Sequence, residues 1–199
     1  MSGLLSFSRL IDGINTRIGR WVSWLILAAV IISTVNAVIR KLFDTSSNAW
    51  LEMQWVLFGA VFLLCTPWTL LSNEHIRIDI VNNLFSKRVR DSIDVFGHVV
   101  FLLPFTIVML IVSVPFARTS FLINEQSANA GGLPQWPAKM LIPLGFLLLF
   151  FQGLSELIKR IAIMRGELQD TTSGGGHHAA VEAEAERILA AAAEEAARR

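Results

Sequence analysis

Residues able to do chemistry are few and far apart in this 199-residue chain. Glu52 and Gln54 stand at the start of an apolar run, two and four positions after Trp50, which suits a membrane boundary. At that level Glu52 has two readings: pairing with a cation such as Arg40 or Lys41 or with a partner subunit, which would fix how the second apolar run packs, or contact with water. Asp94 and His98 are four apart and share a helical face, which favours a local acid–imidazole contact over a metal or haem ligand. His75, Arg77 and Asp79 alternate with Ile76, Ile78 and Ile80. Cys65, the single cysteine, cannot make an internal disulfide and reads as a small buried hydrophobe. The sequence carries no metal-ligand spacing, Gly-rich phosphate loop or nucleophile with a base. A haem-binding bundle needs pairs of inward histidines, and only His98 and the boundary residue His75 qualify, since His177 and His178 belong to a Gly-rich tail. The expectation is a chain that is not an enzyme and holds no cofactor or metal.

The elements that must position these residues are apolar. Apolar types make up 53% of the chain and mean hydropathy is +0.55, above the roughly 45 to 50% usual for soluble domains. Four runs approach the ~20 residues that a helix needs to cross the hydrocarbon core: 21–38, 50–71, 95–116 and 140–158. The first begins after Arg9, Arg17 and Arg20 and lacks a small-x-small cleavage pattern, so it reads as a retained span rather than a signal sequence. The fold expected is an all-α integral membrane protein with four transmembrane helices.

Orientation follows from the cations. Arg9, Arg17 and Arg20 precede span one, Arg77, Lys87, Arg88 and Arg90 follow span two, and Lys159, Arg160 and Arg165 follow span four. The other two connections hold only Arg40 with Lys41, and Arg118 with Lys139. The positive-inside bias places both termini in the cytoplasm. Net charge is +1, with cations scattered between apolar runs, so nucleic acid is not an expected partner.

The flanks suit the membrane surface. In residues 1–20, Leu4, Leu5, Phe7, Leu10, Ile11, Ile14 and Ile18 recur mostly at spacings of three and four, as in an amphipathic helix on the inner surface. The alternating "HIRIDI" would be a lone strand without a backbone partner, so an interfacial segment fastening the cytoplasmic end of the bundle fits better, followed by a short helix among Lys87, Arg88 and Arg90. Between spans three and four, Gly131 and Gly132 permit unusual backbone angles, Pro134 and Pro137 stiffen the path, and Trp136 anchors at the interface. That connection is either a hairpin turn reseating the chain or a docking surface for an extracytoplasmic partner. Residues 166–199 form a Gly-rich linker and an Ala/Glu-rich cytoplasmic tail, outside the 21–165 membrane domain.

Three stretches in order, "WLEMQWVLFGAVFLL", "EHIRIDIV" and "SANAGGLPQWPAKMLIPLGFLLL", resemble the small membrane subunit of tripartite ATP-independent periplasmic (TRAP) transporters over approximately residues 15 to 165. Asn73 stands where that family often has a glycine. The resemblance implies a non-enzymatic scaffold in the bacterial inner membrane. Its partners would be a large multispan subunit and a periplasmic substrate-binding protein, in uptake of an organic acid driven by an ion gradient, usually sodium. Glu52, Gln54, His75, Arg77, Asp79, Gly131, Gly132, Pro134 and Trp136 are then the candidate structural or subunit-contact residues. Two other classes remain: a self-sufficient channel or carrier, which the scarcity of mid-span charges opposes, and a membrane anchor of a redox complex, which the histidine shortage opposes.

Overall fold

The computed structural model describes residues 2–45, 47–72 and 87–168. They form helices α1 (Ser2–Val22), α2 (Trp24–Phe43), α3 (Asn48–Leu71), α4 (Lys87–Phe96), a π-helical turn (Gly97–Leu102), α5 (Leu103–Leu122) and α6 (Trp136–Met164). Among the described residues, strand-like pairing is limited to one isolated antiparallel bridge between Gln126 and Pro134. Four helical stretches, Gly3–Phe43, Asn48–Leu71, Val89–Leu122 and Trp136–Met164, are long and apolar enough to cross a membrane. An apolar run that must satisfy its backbone without water has helix as its local solution. The helices outrun the apolar runs because backbone geometry, not hydropathy, ends them. α5 continues through Arg118 and Ser120 to Leu122 and stops before Asn124, whose φ is +46°. α6 starts at Trp136 with Pro137 in its first turn.

α6 is the hub, packing against α5, α3 and α1. Its buried positions are Gly145, Leu149, Gln152, Gly153, Ser155 and Ala162, and α5 answers with Thr106, Ser113, Ala117 and Ser120. Large apolar side chains point outward instead, among them Phe62, Phe101, Ile111 and Leu122. Lipid gives apolar side chains no reason to cluster, so small residues that let backbones approach take the interior. A Cβ on Gly145 would lie 2.8 Å from Leu63 Cβ and 2.9 Å from the Leu63 carbonyl oxygen.

α1 is turned inside out relative to a soluble amphipathic helix. Ser8, Ile11, Asn15 and Gly19 are buried against α6 and α3, whereas Leu4, Phe7, Leu10 and Ile14 are exposed. The helix crosses α6 obliquely: Ser8 meets Ser155 and Asn15 meets Gln152, so about 10 Å of α1 covers about 4.5 Å of α6. α4 repeats the design, with Asp91 buried and Val89, Ile93 and Phe96 exposed.

In the π-helical turn the Leu103 amide donates to the His98 carbonyl. The His98 imidazole Nδ1 lies 2.7 Å from the backbone oxygen of Asp94, not its carboxylate. The two residues do share a face, but the Asp94 carboxylate is taken by Arg160 at 2.7 Å.

Candidate functional site

Two polar clusters sit near opposite ends of α6. The first binds the 123–135 loop to α3. Glu52, only 4% exposed, accepts from the Ser127 hydroxyl and from Asn129 Nδ2 (2.8 Å) at Oε1, and from the Leu133 backbone N–H (2.6 Å) at Oε2. The carboxylate is thus met by three neutral donors of the loop, not by Arg40 or Lys41 and not by open water. Local backbone makes this possible. Gly131, with φ +69°, turns the chain where a side chain would be strained, and Gly132 sits so tightly that a Cβ would lie 2.7 Å from Glu52 Oε1. Asn48 ties the same turn from the helix start, donating to the Ala130 carbonyl at 2.9 Å.

The far side of the loop is fastened to α6. Lys139 pairs with Glu125 at 2.5 Å and stands 4.4 Å from the centre of the Phe116 ring. The Lys139 ammonium holds the Glu125 carboxyl below the usual carboxylate range. Gln135 N–H donates to the Glu125 carbonyl at 2.9 Å, Pro134 lies in the bridge to Gln126, and Trp136 packs edge-to-face on Phe121 at 5.2 Å. Glu52, Gly131, Gly132, Pro134 and Trp136 therefore belong to one loop assembly. Gln54 is half-buried and faces another side of α3, because successive helical positions turn by about 100°. A groove of about 470 Å³ lies beside the assembly, lined by Glu52 and Lys139 together with Val56, Gly59 and Leu63.

The second cluster joins α1, α4 and α6. Lys159 Nζ contacts Asp12 of α1 at 3.0 Å and Glu156 at 2.5 Å. Gln152 donates to Asp12 and Glu156, both at 2.9 Å, and accepts from Asn15 Nδ2 at 2.7 Å. Ser155 Oγ lies 2.6 Å from Ser8 Oγ and donates to Asp12 at 2.9 Å. The next residue, Arg160, holds Asp91 at 3.1 Å and Asp94 at 2.7 Å, both on α4. Sequence reasoning missed this cluster. Its signal was present: Gln152, Ser155, Glu156 and Lys159 recur at helical spacing, marking one polar stripe on an otherwise apolar span. His75, Arg77 and Asp79 lie outside the described residues.

Lys139 and Lys159 are twenty residues apart on one helix, which is about 30 Å, the thickness of a hydrocarbon core. Apart from the buried Asn15 Oδ1, which has no hydrogen-bond partner, the polar side chains named in the two clusters bond to their neighbours, an arrangement suited to holding elements in place.

Residues 19–162 match a family model described as tripartite ATP-independent periplasmic transporters, DctQ component. No curated protein and no solved structure matches the chain. The matched region takes in the loop assembly, all of α4 to α5, and α6 through Ala162. With four helices fit to cross a membrane and a family match over most of its length, the chain belongs to the DctQ family, the small membrane component of TRAP transporters.

Proposed function

We propose that this chain is the scaffold subunit of a TRAP transporter in the bacterial inner membrane. It would support a large multispan subunit that takes up an organic acid delivered by a periplasmic binding protein, driven by an ion gradient, in the first instance sodium. The observation that carries the reading is the fate of the ionisable groups: Glu52 is held by neutral donors of the loop, and Lys139, Lys159 and Arg160 each hold a carboxylate, so that they bind helices and loop together, as expected of a static framework rather than a substrate or ion path.

In this reading both termini are cytoplasmic, the Lys159–Arg160 cluster is at the cytoplasmic surface and the Glu52-bound loop faces the periplasm. α1 and α4 lie at the inner interface, and their exposed apolar residues support that placement. The loop assembly would help form the platform on which the loaded binding protein docks.

The test is affinity isolation of the chain from mild-detergent membranes of its native host, with and without ligand for the binding protein. Stoichiometric recovery of a large multispan protein, retaining a periplasmic binding protein with ligand, supports the scaffold. Recovery of a homo-oligomer alone from membranes that contain the large subunit, with transport by this chain in liposomes, overturns it in favour of a self-sufficient carrier. A bound chromophore would point to a redox anchor.

A further inference from the structure

α1 has three sides, not two. At about 100° per residue, Ser8, Asp12, Asn15 and Gly19 form the sector that meets α6 and α3. Phe7, Leu10, Ile14 and Trp21 form a second, exposed and apolar. Arg9, Gly13, Arg17 and Arg20 form a third, exposed and cationic. One side is protein, one suits acyl chains and one suits water or an anion. Among the described residues, Arg17 and Arg20 have no acidic partner, in contrast to Lys139, Lys159 and Arg160, each of which holds a carboxylate.

The junction of α1 and α2 at Ser23 concentrates these features. Its hydroxyl donates to the Arg20 carbonyl at 2.9 Å, and Trp21 and Trp24 on either side are 77% and 65% exposed. Arg17 stands at the seam between the apolar and cationic sectors, one turn before Trp21. Paired tryptophans mark the headgroup level, and two guanidiniums three residues apart can both reach one phosphodiester, which arginine binds in a fork.

We propose that the α1–α2 junction is a binding site for an anionic phospholipid, with Arg17 and Arg20 on the headgroup phosphate and the acyl chains along Trp21, Ile14 and Leu10. The proposal rests on the interfacial placement of α1. The lipid would lie along the seam of the two sides of α1 that protein contacts leave open, its phosphate on the cationic side and its acyl chains on the apolar one. Its charge complements the arginines, whereas a zwitterionic lipid would offer no net attraction.

The test is native mass spectrometry of the full chain, titrated with phosphatidylglycerol or phosphatidylcholine, alongside the R17Q/R20Q variant and an R9Q control. Preferential retention of phosphatidylglycerol is expected, weakened by about fivefold for each of Arg17 and Arg20 removed, unchanged by R9Q and reduced by added salt. Equal retention of both lipids by the unmodified chain, or a preference that survives R17Q/R20Q, overturns the proposal. Spin labels at Leu10 and Gly13, placed one at a time in bilayers, test the placement separately. Leu10 accessible to oxygen and Gly13 to a water-soluble nickel chelate supports an interfacial α1. Equal accessibility at the two positions removes that placement and the lipid site with it, whereas the interfacial pattern without lipid preference removes only the site.

Discussion

Lys159 and Arg160, adjacent in α6, clamp different helices: the lysine reaches Asp12 of α1 and the arginine reaches Asp91 and Asp94 of α4. Neighbouring positions on a helix diverge by about 100°, so two consecutive cations can serve two flanks of one span. Each also has two carboxylates, which makes it the joint of its cluster.

Lys159→Met should therefore loosen α1 more than Asp12→Asn does, because it leaves both Asp12 and Glu156 without their cation. With Lys159 and Asp12 each 21% exposed, the loss falls below that of a fully buried pair, about 1–2 kcal/mol. Thermal melts in detergent should show a midpoint lower by about 2–4 °C per kcal/mol; an unchanged midpoint would count against the clamp.

Arg160→Lys keeps the charge but loses the fork that spans two aspartates. Amide exchange in α4 should speed up while exchange in α1 stays as it was. Equal effects on both helices would mean that the two clamps act as one unit.

Glu52→Gln replaces an anion that accepts three bonds with an amide that must turn two donors toward donors. The Leu133 amide, bonded to Glu52 Oε2 at 2.6 Å, should exchange about tenfold faster or more. Arg40→Gln should leave that amide unchanged. If the two variants behave alike, the loop is held by something other than Glu52.

Gly145→Ala should separate α3 from α6, since the new Cβ meets Leu63 backbone as well as side chain. A loss of about 1–3 kcal/mol is expected for such overpacking. Gly59→Ala is the control, because a Cβ there meets nothing within 4 Å, and its melting midpoint should match or exceed that of the unmodified chain.

The Glu125–Lys139 pair sets an acid limit on the loop. Glu125 has a carboxyl lowered from 4.5 chiefly by its bond to Lys139, so its contribution is fully present above that value. It is lost as pH falls through the lowered value of the folded state. Exchange at the Gln135 amide, which donates to Glu125, should stay slow at neutral pH and rise only below the ordinary carboxylate range. In Lys139→Met the rise should begin at higher pH; an identical profile would detach the loop from this pair.

Apolar run length was legible because it is local. Each of the four runs falls within a helix long enough to span, since a chain in lipid has to satisfy its own backbone hydrogen bonds within the segment. The Gly131–Gly132 turn was equally readable, and Gly131 does adopt positive φ. What the polar residues meet was not legible. Glu52 bonds to Leu133, 81 positions away, and Asp12 to Lys159, 147 away. The periodicity of α1 showed an apolar side without showing that the polar side with Ser8, Asp12 and Asn15 is the one that packs on protein. That choice depends on which residues of α6 lie opposite, and Gln152, Ser155 and Lys159 offer partners that only a polar face can use. Sequence determined the helices through backbone chemistry; tertiary structure decided the two clusters, because hydrogen bonds and ion pairs between distant segments exist only once those segments are packed together.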